Sequence, residues 1–183
     1  MENLLLYGLI GIAVAVALAF LNKAASNQTT LNEFGWYELR MNRLYQIVGV
    51  LVGIMGLSFL YLLIGERDSA AFITIVILSL GFAYLGLYCW LWYRNHRVKF
   101  NEETIKASNA FGKSNSIKWS EISKISYNSF SGLISVMDQQ GAAVKIHQHL
   151  VGLNTFVEFM EQRTKWNAKD LKLPPTKPKQ HFQ

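Results

Sequence analysis

The chain has 183 residues, room for one ordinary domain or two small ones, and 51% of them are hydrophobic against 16% charged, a balance tilted toward lipid. The formal charge of +6 is spread unevenly, because the residues after Tyr93 hold 14 Lys/Arg against 7 Asp/Glu, a surplus of +7. Cys89 is the only cysteine, which excludes an intramolecular disulfide and a cysteine-based zinc cluster; set in an apolar run, it reads as inert packing.

Three long apolar runs come first, over about 4–22, 44–64 and 70–93. Each meets the requirement of roughly 20 apolar residues for a membrane-crossing helix. The leading segment, Met1-Glu2-Asn3, carries an acid where a secretory signal needs a base, so an uncleaved anchor is expected. Three spans put the N-terminus and the 65–69 loop, with Arg67 as its one base, on one side. Lys23, Arg40 and Arg43, then Arg94, Arg97 and Lys99, lie on the other. An excess of Lys/Arg marks the cytoplasmic side. The expected topology is therefore N-terminus outside and C-terminal half cytoplasmic. Trp90, Trp92 and Tyr93 supply the interfacial aromatic belt, and Arg94, Arg97 and Lys99 beyond it are candidates for contact with lipid headgroups.

The spans contain no ionisable residue beyond tyrosines and Cys89, and no proline, so a self-contained transport path is not expected. Ser58, Thr74 and Ser79 should bond back to their own helices. Small residues recur at four-residue spacing: Gly11, Ala15 and Ala19 in the first run, and Gly49 and Gly53, extended by Gly56, in the second. Such faces let backbones approach, either among the spans of one chain or between copies. Between the first two runs, Thr30-Leu31-Asn32-Glu33 has the capping-box pattern, and an interfacial helix over about 30–43, or a cytoplasmic extension of the second span, is expected.

From Arg97 the period becomes two. Val98 and Phe100, Ile105 and Ala107, Ile117 and Trp119, Ile125 and Tyr127, Leu133 to Met137, then Val144 and Ile146 alternate with polar residues. Turns fall at Asn101-Glu102-Glu103, between Asn109 and Gly112, and at Gln139-Gln140-Gly141. This predicts an antiparallel meander. Leu153, Phe156, Val157 and Met160 then form one apolar helical stripe, with Asn154 as its cap, to cover the open face of the sheet.

The order of "FNEETI", "IKWSEISKI" and the closing "GLNTFVEFMEQR" helix resembles a bacterial pleckstrin-homology (PH)-like domain of the membrane-anchored kind. The resemblance covers about 97–166, under half the chain. It implies a bent sheet or partial barrel capped by the helix, and a role in binding or assembly. Phosphoinositide-binding members carry a basic cluster in an early hairpin loop, where 109–115 offers only Lys113, so the resemblance favours protein contact. The expected fold class is thus an α + β membrane protein: three transmembrane helices, then a small antiparallel PH-like β domain capped by a C-terminal helix.

No catalytic motif occurs, and neither an enzymatic activity nor a cofactor is expected. Ser120-Glu121 reads as a turn between strands. His147 and His149 are an HxH pair on an extended chain with Lys145 on the same face, read as solvent-facing rather than as metal ligands, since a site needs more donors. The stretch 167–183, with Lys169, Lys172, Lys177 and Lys179 among Pro174, Pro175 and Pro178, is expected to be a disordered basic tail. Without a folded basic face or aromatic interleaving, nucleic acid is not an expected partner. The leading expectation is a scaffold or accessory subunit, forming a homo-oligomer or joining a larger membrane complex through its cytoplasmic domain. An anionic-lipid-binding surface module comes second, and a pore formed between subunits last.

Overall fold

The computed structural model describes residues 16, 19–21, 23–27, 29–64 and 68–173. They divide into two compact units. One joins residues up to Asn42 to Arg97–Ser108 and everything described from Ser114 onward; the other is Arg43–His96 with Asn109–Lys113. The protein is an α + β molecule with antiparallel sheets and two helices long and apolar enough to cross a membrane.

Those two helices are α1, Arg43–Tyr61, and α2, Ser69–Asn95, about 28 and 40 Å long at 1.5 Å per residue. Asp68 caps α2, accepting hydrogen bonds from the amides of Ala70 (2.7 Å) and Ala71 (3.0 Å), two of the orphan donors of a helix start. Of the first expected span only Val16, 19–21 and a few following residues are described, in helical conformation. The rest of that span, with Gly11 and Ala15, lies outside the described residues; Ala19 is helical and exposed.

The β unit is built on a five-stranded antiparallel sheet and a three-stranded one. The strands are β1 (Tyr37–Met41), β2 (Arg97–Phe100), β3 (Thr104–Ser108), β4 (Ser114–Lys118), β5 (Ile122–Asn128), β6 (Leu133–Asp138), β7 (Ala143–His147) and β8 (Leu150–Val151). Their order is β4-β3-β2-β1-β8 in the first sheet and β5-β6-β7 in the second. A helix, α3 (Leu153–Arg163), follows. The alternating pattern from Arg97 onward thus gives strands where expected, and Trp119–Glu121 forms a 3-10 turn between β4 and β5.

One chemical device sets most of the turns. The side-chain oxygen of Asn32, Asn101, Asn109, Asn128 or Asp138 accepts two backbone amides two to four residues on. Such Asx turns mimic a backbone turn and stop a strand.

β1 corrects the expected interfacial helix over 30–43. The Asn32 carboxamide takes the amides of Phe34 (3.0 Å) and Trp36 (2.9 Å), so Thr30–Glu33 opens a turn, not a helix. Beyond it Leu39 and Met41 are buried while Glu38 and Arg40 point outward. β1 pairs with β2, placing Tyr37 opposite Phe100 and Arg40 opposite Arg97, and on its other side with β8. The helical hairpin is therefore inserted in the chain between two neighbouring strands, and the β domain expected to begin at 97 also includes 37–41.

Leu39, Val98, Phe100, Ile105, Ile134, Val136, Ile146, Leu150, Phe156 and Met160 are fully buried. At their centre Phe100 stacks on Tyr37 (5.2 Å between centroids) and meets Phe156 (5.6 Å) and Phe159 (5.3 Å) edge-on; Trp119 stacks on Phe156 at 5.8 Å. The Trp119 indole finds its partner in the Asn101 carbonyl, 2.9 Å away, which satisfies the one polar atom it carries inside.

Asn154 does not cap α3. Gly152, at φ +86°, holds the cap position, a left-handed backbone that suits glycine. Asn154 sits inside the helix and donates to the Ser26 carbonyl (3.1 Å), while the Thr29 amide donates to Thr155 Oγ1 (3.0 Å). The segment that follows the first apolar run is thereby fastened to the start of α3. At the other end, the Ala168 amide donates to Glu161 (2.8 Å), the Leu173 amide to the Ala168 carbonyl (2.9 Å), and Leu173 is buried. The first part of the expected tail, 167–173, thus packs on the domain; 174–183, with the prolines, Lys177 and Lys179, lies outside the described residues.

Candidate functional site

The register of the large sheet assembles a group of cations that adjacent sequence does not. Arg40 stands opposite Arg97, Glu38 opposite Lys99, and Lys99 opposite Lys106. All five point away from the core, because their neighbours Leu39, Val98, Phe100, Ile105 and Ala107 point into it. Among the described residues of these strands, Glu38 is the only acid on that face.

Glu38 is the hub. Its carboxylate lies 3.1 Å from Arg40, 3.5 Å from Arg97 and 3.9 Å from Lys99, and its side chain is only 16% exposed while those cations remain 63%, 46% and 45% exposed. Partial burial pushes its carboxyl pKa up, but the Arg40 hydrogen bond and the charges of Arg40, Lys99 and Arg97 outweigh that and hold it below the usual value. One carboxylate orients three basic side chains and cancels one of their charges. With Lys106 the face keeps a surplus of three positive charges, suited to a carboxylate- or phosphate-bearing ligand. Lys118 at the sheet's end is answered by Glu121 (3.4 Å).

Arg97 and Lys99, expected as headgroup contacts, thus stand together with Arg40 and Lys106, which sequence reasoning did not bring to that face. Arg94 belongs to the helical unit, where its guanidinium lies over the Trp90 ring, 5.2 Å from the centroid.

The glycines of the second run pack within the chain. A Cβ on Gly49 would stand 2.9 Å from the Gly86 carbonyl oxygen and 3.0 Å from the Trp90 amide; one on Gly56 would stand 2.7 Å from the Ala83 amide. A Cβ on Gly53 would meet nothing within 4 Å, although its backbone is where a Cβ on Gly86 would collide, at 2.6 Å. Gly86, on α2, is the partner that a motif confined to one helix could not reveal. Ser58 and Thr74 do bond back to their own helices, to Met55 (2.8 Å) and Ala70 (2.9 Å), but buried Ser79 reaches across to the Gly56 carbonyl at 2.6 Å. Gly49 and Gly56 therefore carry no argument for assembly between chains.

His147 and His149 are buried, contrary to the solvent-facing expectation, with ring centroids 5.1 Å apart. The chain turns after β7 and brings the His149 amide within 3.2 Å of His147 Nδ1, while Gln148 bridges His149 (3.2 Å) and the Tyr127 hydroxyl. Burial depresses the His149 pKa. Among the described residues no group of three metal-ligating side chains gathers. Ser120 and Glu121 lie exposed in the 3-10 turn.

Comparison with protein-family models and with curated proteins finds no match.

Proposed function

We propose that this chain is a non-enzymatic, multi-pass protein of the bacterial inner membrane whose cytoplasmic, PH-like β domain docks an acidic surface of a partner protein. It acts as a scaffold or accessory subunit. The observation that carries the reading is the cluster of Arg40, Arg97, Lys99 and Lys106 around the single carboxylate of Glu38 on an exposed sheet face. The membrane assignment is supported by α1 and α2, which are long and apolar enough to cross a bilayer and leave most of their large apolar side chains uncovered; a soluble core helix would be covered. The first apolar run is taken as a third span, which keeps the basic loops on the cytoplasmic side.

The test is purification of the full chain in mild detergent with whatever it holds, beside a triple charge reversal of Arg40, Arg97 and Lys106 to Glu. Partners retained by the parent and lost from the reversed chain support the reading; the same set retained by both overturns it.

A second reading has its own support. Arg97 follows two residues after the last residue of α2, and Arg40 precedes α1 by three, so both stand within reach of headgroups if the helices span a bilayer. Anionic lipid carried through purification in proportion to these charges would favour it over a protein partner. A fragment beginning at Arg97 cannot serve either test, because it lacks β1, the strand between β2 and β8.

A further inference from the structure

The tip of the β3–β4 hairpin, Asn109–Lys113, belongs to the helical unit rather than to the unit of its own strands. It is a rigid tip: Asn109 Oδ1 takes the amides of Phe111 (2.9 Å) and Lys113 (3.0 Å), the Asn109 amide donates to the Lys113 carbonyl (2.8 Å), and Gly112 adopts φ +80°. It is also fastened to α2. Asn95 Nδ2 donates to the Ala110 carbonyl at 2.7 Å, and Ala110 is buried. The Phe111 ring stands 6.4 Å from that of Tyr88, at the head of an aromatic column that runs through Trp92 (5.3 Å) to His96 (5.6 Å).

Tyr88 is seven residues before the end of α2, which is about 10 Å back along its axis. The hairpin therefore reaches past the turn that bears Trp92 and Tyr93 and sets a phenylalanine against the apolar stretch of the helix. Phe111 is nevertheless 68% exposed, and on the helix face of its partner Tyr88 the residues one turn back, Tyr84 and Leu85, are exposed at 67% and 48%. A large apolar ring held out rigidly on a polar hairpin, continuous with an uncovered apolar helix, matches a bilayer interface, where aromatic rings settle.

We propose that the hairpin tip is a membrane-insertion element: Phe111 enters the bilayer alongside α2 at the depth of Tyr88, with exposed Lys113 left at the headgroups. The proposal rests on the reading of α2 as a transmembrane span.

The test uses the full chain in lipid vesicles, with Cys89→Ala and one new cysteine at a time carrying an environment-sensitive fluorophore. The positions are Phe111, Ile77 in the middle of α2, and Gln140 at the exposed β6–β7 turn. Nitroxide-labelled lipids then quench from a shallow or a deep acyl position. The label at Phe111 should lose fluorescence to the shallow nitroxide about two-fold more than the label at Gln140 does, and Ile77 should respond to the deep one. Quenching at Phe111 no greater than at Gln140, with Ile77 quenched, overturns the insertion while the span stands. An unquenched Ile77 overturns the span, and the proposal with it.

Discussion

The two units bury opposite kinds of residue. In the helical hairpin the buried positions are Gly49, Gly56, Ser79 and Gly86, while Ile54, Leu57, Ile77, Leu80 and Tyr84 are exposed. In the β unit Phe100, Phe156, Leu39, Ile105 and Met160 are inside, and Arg, Lys, Ser and Asn cover the outside. The β unit follows the ordinary aqueous rule, with large apolar side chains removed from water. The hairpin reverses it: backbone meets backbone through the smallest residues, and the large apolar side chains stay uncovered. That inversion supports the proposal that α1 and α2 span a bilayer, whose interior is as apolar as leucine.

Truncation of a central ring should separate the two rules most sharply. Phe156→Ala removes a fully buried ring that touches Phe100 and Trp119 and is expected to cost about 3–5 kcal/mol. Amide exchange should show the loss throughout the β unit. A ring of the same kind taken from the exposed β5–β6 turn, Phe130→Ala, should leave exchange unchanged.

In the hairpin the damaging change is addition. Gly86→Leu sets a side chain where the Gly53 amide (2.6 Å) and the Gly49 carbonyl (2.7 Å) lie, and overpacking of this kind costs about 1–3 kcal/mol. Gly53→Ala and Gly81→Ala meet open space and should change hairpin stability little. Equal effects from Gly86→Leu and Gly81→Leu on denaturant resistance would mean that α1 and α2 do not pack through these residues.

A pH scan separates the units again. Burial depresses the His149 pKa, so the folded β unit binds fewer protons there than the unfolded chain. The stability linked to His149 is full above the imidazole's ordinary value of about 6.5. It falls as pH drops below that value toward the lower folded one. The melting temperature of the β unit should decline on acidification through this window, and His149→Gln should flatten the decline.

These contrasts were unevenly legible in the sequence. The alternation from Val98 to Ile146 and the stripe from Leu153 to Met160 announced six strands and their helix, because each is a local pattern and most are closed by an Asx or glycine turn. β1 was not, since Tyr37, Leu39 and Met41 alternate over only five residues beside an apolar run, and their partners lie across the whole hairpin. The basic face inherited that blindness: Arg97 and Lys99 share a strand, but Arg40 and Lys106 join them only through the register of β1 and β3. Gly86 stayed hidden because a small-residue motif describes one helix, whereas close approach needs a partner on the other. The histidines misled because the alternation of β7 predicts an outward His147 and says nothing of the turn that folds His149 onto it.

The smallest expected effect is the most informative about the site. Glu38→Gln removes the carboxylate shared by Arg40, Arg97 and Lys99. The exposed partners are screened by water, so the loss of stability should be no more than about 1 kcal/mol. Because the folded pKa is lowered, the stability that Glu38 contributes is present above the usual carboxylate range and lost as pH falls through the lower folded value. The parent and Glu38→Gln should therefore converge in strong acid. At neutral pH the two properties part: the substituted face is slightly less stable, yet carries one more uncompensated positive charge. Retention of an acidic partner or of anionic lipid should rise in Glu38→Gln while stability falls, and salt should weaken that retention more steeply than in the parent. If both properties fell together, the carboxylate would be shaping the bound ligand's site rather than competing with it. The cluster around Glu38 would then be a recognition element in its own right.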